Sequence, residues 1–250
     1  MKSILSILAG TALMASAVLL WNGLINPYPV ESFTTPAGKT LKIALIHHGS
    51  IAFKYRGYVI QVDPVSGDAA DYSHMGKADA ILITHEHGDH LNVETIASLS
   101  RRGTQLYLNK ASFDQTGYGH VITNGNHVSL NSHISLKVGP AYNINEERAK
   151  YHPKGNGNGY LLDFDGFSVY VSGDTEKIPE MFDIHEPDVA FLSANQPYTM
   201  SVNQCVQAAL RINPKVLYPY HLSDTDMGLI KTRIEDSGAS IDVRLFEQLR

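Results

Sequence analysis

The chain has 250 residues, of which 43% are hydrophobic, and a formal net charge of −5. This composition fits one folded α/β domain and excludes a disordered chain, and the lack of a lysine and arginine cluster predicts no nucleic-acid partner. The single cysteine, Cys205, excludes an intramolecular disulfide and a cysteine-rich zinc module, and we interpret it as a core residue of a helix.

The N-terminal residues read as a targeting segment. Lys2 precedes an apolar stretch, and the small residues 15–17 suit cleavage of a secretory signal, whereas residues 4–25 taken together are long enough to span a bilayer uncut. We therefore predict a signal peptide or membrane anchor at residues 1–25 and a proline-containing linker at residues 26–40. Both interpretations place the following domain outside the cytoplasmic membrane, in the periplasm or anchored to the membrane facing outward.

From residue 41 onward, short strands and helices alternate. Three early strands are predicted at 41–46, 58–62 and 78–83, followed by a helix at 92–100 that Asn92 caps with Thr95 three positions later. The next strand-like runs follow each other closely, as in antiparallel meanders: 105–108, 127–130, 133–138, 159–164 and 167–172. The remaining segments alternate between predicted helices at 176–183 and 202–212 and predicted strands at 188–193, 215–218 and 240–246. This pattern is consistent with a layered α/β domain over residues 41–250.

The densest group of potential metal ligands follows the apolar run 80–83. Three histidines and one aspartate stand within six residues there: His85, His87, Asp89 and His90. Neutral imidazole and carboxylate groups suit zinc, and also manganese or iron. Clustered imidazoles do not fill a hydrophobic core, so we predict that a buried strand ends in a loop that presents four metal ligands.

This motif resembles the HxHxDH signature of the metallo-β-lactamase-fold hydrolases. The resemblance covers about residues 41–250 and implies a four-layered αβ/βα sandwich with a metal centre at one edge of its two sheets. It further implies that Asp174, which follows the strand-like run 167–172, bridges two metals, and that His221 is the last ligand.

One ligand position departs from the family pattern. Asn143 stands where many family members have a histidine, and His152 follows nine residues later in a glycine-rich loop. We predict that His152 replaces the missing imidazole, because a neutral amide is a poor zinc ligand. The alternative is that Asn143 or water completes the site and His152 contacts substrate. These segments resemble a bacterial branch of the family similar to ascorbate-phosphate-lactonase-like proteins.

Four further residues are predicted to lie near the metals or at the pocket. Asp63 ends an early strand and would accept the free N–H of a ligating imidazole. His47 and His48 are interpreted as packing groups or as outer partners of the ligands. Tyr198 follows a strand and either lines the mouth of the pocket or packs as a loop anchor.

The implied ligand set predicts a metal-dependent hydrolase. One metal, most suitably zinc, would bind His85, His87 and His152, a second would bind Asp89, His90 and His221, and Asp174 would bridge them. A hydroxide between the metals, oriented by Asp89 as catalytic residue, would attack a small-molecule ester, lactone or phosphoester. The alternatives are a phosphodiesterase for lipid-like substrates, a di-metal redox protein, which His87 argues against, and a non-catalytic metal-binding module. The oligomeric state is not predicted.

Overall fold

The computed structural model describes residues 20–21, 24–25, 27–67 and 70–250. The predicted signal peptide or membrane anchor at residues 1–25 lies mostly outside these ranges and stays a prediction. Leu20–Trp21 and Leu24–Ile25 form a short antiparallel pair. Within the described ranges, no helix combines the length and the apolar character needed to cross a membrane.

The first of two seven-stranded sheets contains its strands in chain order. The strands are β1 (Val30–Thr34), β2 (Thr40–His47), β3 (Ser50–Tyr55), β4 (Tyr58–Val62), β5 (Ala80–Leu82), β6 (Gln105–Leu108) and β7 (His120–Val121). Strands β1 to β4 pair antiparallel, whereas β4 to β7 run parallel. The prediction of a linker at residues 26–40 is wrong over the residues of β1. The whole of that strand pairs with β2, and Val30 is buried.

The second sheet repeats this topology. Its strands are β8 (His127–Asn131), β9 (Ile134–Ala141), β10 (Gly157–Phe164), β11 (Phe167–Val171), β12 (Val189–Ser193), β13 (Val216–Tyr220) and β14 (Asp242–Val243). An antiparallel meander from β8 to β11 again leads into parallel strands from β11 to β14. The predicted meander is therefore present in the second half of the chain, and each half supplies one sheet.

The two sheets pack face to face, and helices cover their outer faces. Inward-facing residues of both sheets, such as Phe53 and Phe164 with ring centroids 5.7 Å apart, form the central core. A second cluster lies between the first sheet and helix α1 (Val93–Leu99), and a third lies between the second sheet and helices α3 (Val202–Ile212) and α4 (Met227–Asp236). This is the predicted four-layered α/β sandwich, which buries apolar surface on both faces of each sheet.

Side-chain caps set the helix boundaries. Asn92 accepts from the Thr95 amide, as predicted, and α2 (Lys110–Thr116) begins at Asn109 in the same way. Residues 176–183 were predicted as a helix but contain only a 3₁₀ turn at Pro179–Asp183, and the strand predicted at 240–246 shortens to β14. Strand β3 and helices α2 and α4 were not predicted. Helix α4 buries few of its residues, so its apolar periodicity is weak.

Candidate metal centre

The loop after β5 carries the predicted HxHxDH ligands and is fixed by Asp63. One Asp63 oxygen accepts from the Thr84 amide at 2.7 Å, and the other accepts from the Thr84 hydroxyl at 2.6 Å and from His90 Nδ1 at 2.8 Å. Because Thr84 Oγ1 donates to Asp63, it accepts from His85 Nδ1 at 3.0 Å. Asp63 therefore orients two imidazoles, and both direct Nε2 away from their hydrogen-bond partners.

Asp174 enters the site from the second sheet through a tight turn after β11. Gly173 adopts φ +62°, and a Cβ there would lie 2.6 Å from the Asn158 carbonyl oxygen. Only glycine fits this close approach. The turn places the buried Asp174 carboxylate 3.3 Å from His152 Nε2, 3.5 Å from His90 Nε2 and 3.2 Å from His221 Nε2.

A first cluster unites His85, His87 and His152, whose ligand nitrogens all lie within 4.8 Å of one another. His152 Nδ1 donates to the Tyr198 carbonyl oxygen at 3.0 Å, which leaves Nε2 directed at the cluster. Asn143 lies behind His152 and donates to the same carbonyl at 2.6 Å. His152 therefore lies beside the other predicted ligands, whereas Asn143 stabilises the loop that carries His152.

A buried carboxylate anchors the loop that carries His152. Glu176 accepts from the Ile144 and Asn145 amides at 2.9 and 2.8 Å and pairs with Arg148 at 2.6 Å. The side chain of Glu176 is fully buried, whereas sequence reasoning did not single it out. The one feature of the sequence that points to Glu176 is its position two residues after Asp174. Glu176 joins the His152 loop to the turn that presents Asp174.

A second cluster lies around Asp89, whose side chain is 51% exposed. Asp89 Oδ2 is 3.3 Å from His221 Nε2 and 3.8 Å from His90 Nε2. His48, which sequence analysis did not assign as a ligand, also faces it, with Nε2 3.7 Å from the same oxygen. The residues predicted for the second metal are thus assembled at one point, together with an additional imidazole.

The charges of the neighbouring histidine and aspartate side chains favour a cation in this site. Burial lowers the pKa of His85 well below its ordinary value, which keeps its lone pair available. Burial acts in the same direction on His90, but Asp174 and Asp63 outweigh it and raise the pKa of His90 well above the ordinary range. Burial would raise the pKa of Asp174, but His221 and His90 hold it well below its usual value. The site therefore stabilises positive charge beside an ionised Asp174.

The polar atoms at the centre fit metal ions. His90 Nε2, His152 Nε2 and Asp174 Oδ1 are buried and have no hydrogen-bond partner within the described part of the chain. Unpaired buried polar atoms are costly, and a bound cation that takes these atoms as ligands would remove that cost. Imidazole nitrogens with carboxylate oxygens form a donor set suited to zinc, manganese or iron.

A cleft of about 310 Å³ opens onto both clusters. Besides the ligands, it is lined by Tyr151, Asn195, Tyr198 and Ser223. Tyr151 and Tyr198 meet edge to face with centroids 4.9 Å apart, and Tyr198 is 44% exposed. Tyr198 therefore lies at the cleft, one of the two positions considered for it. Cys205 lies elsewhere, on the buried face of α3, where burial raises its pKa to about 12.

Gly49 leaves room for His90, and this contact gives a first prediction. A Cβ at position 49 would lie 2.8 Å from His90 Cε1, and His90 cannot retreat without losing Asp63. We expect Gly49→Ala to lower metal affinity about 10- to 100-fold, the range for groups that orient a ligand. Metal competition with a chromogenic chelator measures the effect. Gly139→Ala is the control, since a Cβ there meets no atom within 4 Å. Equal affinity in both variants would contradict the prediction.

Comparison with known proteins agrees with this fold and site. A family model described as "Beta-lactamase superfamily domain" matches residues 42–221, a range that includes every predicted metal ligand. The chain therefore belongs to the β-lactamase superfamily, and the resemblance inferred from the HxHxDH motif is confirmed, as is the fold.

Within that superfamily, its relatives are described as UPF0173 metal-dependent hydrolases. One from Pyrococcus furiosus is 31% identical over 193 residues, covering 72% of this chain and 84% of the relative. Another from Archaeoglobus fulgidus is 28% identical over 181 residues, covering 67% of this chain and 78% of the relative. A crystal structure from Parabacteroides distasonis, provisionally described as a metal-dependent hydrolase, is 48% identical with a TM-score of 0.84, and the match covers 88% of this chain and 99% of that one.

Proposed function

We propose that this protein is a hydrolase that binds two divalent cations, preferably zinc, and cleaves an uncharged small-molecule lactone or ester. The convergence of imidazole nitrogens and carboxylate oxygens on two adjacent points carries the proposal. His85, His87 and His152 would hold one cation, whereas Asp89, His90 and His221 would hold the other. Asp174 reaches toward both groups and would bridge them.

Two bound cations would supply hydroxide at neutral pH and polarise the attacked carbonyl group. Asp89 has the exposure and charge to position an attacking water. Burial would raise its pKa, but the imidazoles of His221 and His48 outweigh this and hold the pKa of Asp89 far below its ordinary value. Asp89 is therefore ionised, and its half-exposed carboxylate faces the cleft, where it can accept a hydrogen bond from an attacking water and orient it.

The walls of the cleft favour an uncharged substrate. Among the described residues that line it, none is a lysine or arginine. Arg148 is paired with Glu176, and Lys150 lies over the Tyr151 ring at 5.1 Å. A pendant phosphate would need a cationic partner in the cleft wall. The Tyr151 and Tyr198 rings instead offer an aromatic surface to an apolar or planar group.

A matched substrate panel tests this proposal. Zinc-loaded protein is assayed with a γ-lactone, its open-chain ester, a phosphorylated lactone and an aryl phosphodiester. We expect kcat/KM to be at least about tenfold higher for the uncharged lactone than for the phosphorylated lactone, a difference of about 1.4 kcal/mol, and higher for the lactone or ester than for the phosphodiester. Tyr198→Ala should raise KM more than it lowers kcat, because the ring contacts substrate away from the reacting atoms. Preferential cleavage of the phosphodiester would replace this proposal with a phosphodiesterase.

Export of the domain is a separate proposal and rests on the sequence alone. Lys2 followed by an apolar stretch is expected to direct the domain out of the cytoplasm, either by cleavage or as an anchor. Residues 1–28 fused to alkaline phosphatase should give an enzyme active outside the membrane. The matched control, Leu8→Arg, places a charge inside the apolar stretch and should abolish this activity. Equal activity of the two fusions, or activity of neither, would contradict export.

A further inference from the structure

The imidazole of His48 is directed into the second cluster although it lies outside the HxHxDH loop. His48 follows β2 in the turn to β3. Its ligand nitrogen, an Asp89 carboxylate oxygen and the His221 ligand nitrogen lie within 4.8 Å of one another. The His48 and His221 rings are also in contact, with centroids 3.8 Å apart and ring planes tilted by 37°. His48 therefore either binds the cation directly or only supports His221 through ring contact.

The C-terminal turn fixes the orientation of the His48 ring. His48 Nδ1 lies 2.6 Å from the Arg250 carbonyl oxygen, and the His48 amide donates to the Gln248 carbonyl oxygen at 2.8 Å. Leu249 between them is fully buried, so this turn is anchored in the core. A carbonyl oxygen only accepts, so Nδ1 carries a hydrogen, and in the neutral imidazole the lone pair is then on Nε2.

The same arrangement occurs at three predicted ligands. The Nδ1 atoms of His85, His90 and His152 donate to Thr84, Asp63 and the Tyr198 carbonyl, which leaves each Nε2 free toward the centre. A hydrogen bond at one ring nitrogen that leaves the other nitrogen for the metal is the usual setting of a ligating histidine. His48 shares this setting, whereas a packing residue has no need of it.

His48 Nε2 faces the Asp89 carboxylate across a gap that is too long for a hydrogen bond. Nε2 and Oδ2 are 3.7 Å apart, so a cation between them would contact both atoms. A neutral imidazole nitrogen and a carboxylate oxygen are both electron-pair donors, and a divalent cation suits the two together. We propose that His48 is a further ligand of the second metal ion, which it shares with Asp89 and His221. This inference rests on the proposed two-cation function and adds a ligand to one of its two sites.

An additional imidazole would give the two sites different coordination. The first site has three imidazoles and Asp174, a set suited to tetrahedral zinc. The second would have His48 in addition to Asp89, His90, His221 and the shared Asp174. A larger number of ligands suits ions that prefer more than four, such as manganese, iron or cobalt. We therefore expect the second site to accept cobalt with a coordination number above four.

Cobalt titration of two matched variants tests the proposal. His48→Asn retains an amide that can donate to the Arg250 carbonyl but removes Nε2, and its short polar side chain tolerates the positive φ of position 48. His48→Phe retains a ring that can contact His221. His47→Asn is the control, because His47 belongs to neither cluster among the described residues. Calorimetry gives the affinity of each equivalent of cobalt, and the visible spectrum reports its coordination.

We expect both His48 variants to weaken one of two cobalt equivalents about 100-fold or more, the upper end for changes beside a ligand, and to alter the spectrum of that equivalent. The affinity for the other equivalent of cobalt should be unchanged in both His48 variants. The His47→Asn protein should bind both equivalents with wild-type affinity. Wild-type affinity and spectrum in His48→Phe would overturn the proposal, because ring contact alone would then suffice. Equal weakening of both equivalents, or fewer than two in the wild type, would overturn it as well. If the wild type binds two equivalents of cobalt but hydrolyses no substrate of the panel, the proposed function is overturned and the His48 proposal is not.

Discussion

Replacement of Asp89 by alanine is expected to lower kcat/KM about 10³- to 10⁴-fold on any confirmed substrate. The change removes a metal ligand, and it also removes the carboxylate that orients the attacking water. Because Asp89 is half exposed and lies at the cleft, stability should fall much less than activity. Steady-state kinetics at saturating zinc measure the effect, and thermal unfolding of the same samples reports stability.

Asp89→Asn separates the two roles. It keeps an oxygen at nearly the same position but cannot carry the charge. An amide is a weaker metal ligand than a carboxylate, so the comparison is made at saturating zinc, where we expect the metal content to approach that of the wild type while kcat stays low. An alanine variant that retains more than about a tenth of the wild-type rate would show that Asp89 does not hold this role.

Removal of the metals is expected to lower the melting temperature by about 10 °C. Two cations that bind only the folded state, each at about 30 times its dissociation constant, together stabilise it by about 4 kcal/mol, and each kcal/mol shifts the melting temperature of a domain of this size by about 2–4 °C. Without cations, buried atoms such as His152 Nε2 and Asp174 Oδ1 remain unpaired. Calorimetry before and after chelation, and after zinc is restored, measures the change.

A variant without the bridging carboxylate is the control for chelation. Asp174→Asn should bind the cations weakly, so chelator should shift its melting temperature much less than that of the wild type. An unchanged melting temperature after verified removal of metal from the wild type would show that the cluster is stable without cations and would weaken the whole assignment.

The sequence allowed much of this architecture to be predicted, because local signals and tertiary structure agree. The apolar runs of β2, β4 and β5 are buried on both faces, which is typical of strands covered by other layers. Asn92 and Thr95 marked the start of α1 through a cap that depends only on neighbouring residues. The HxHxDH loop was recognisable because its ligands lie close together in sequence.

The missed elements depend on distant partners. Strand β1 lies between prolines in a segment that resembles a linker, and pairing with β2 makes it a strand. The position of His48 is fixed by the carbonyl of Arg250, about two hundred residues away in the chain. Glu176 gains its role only because the loop from Asn143 to His152 folds onto it. Sequence pattern reports local preference and cannot specify such contacts.

The division of ligands between the two sheets determines when the site can form during synthesis. The first half contributes the HxHxDH loop, whereas His152, Asp174 and His221 come from the second half. Neither half can hold both cations, so a growing chain acquires its complete site only after His221 has emerged and the halves have docked. Metal loading is then a late event in biogenesis. If the chain crosses the membrane unfolded, the cations it receives are those available at its destination, and the supply of metal in the cytoplasm does not determine which ions it carries.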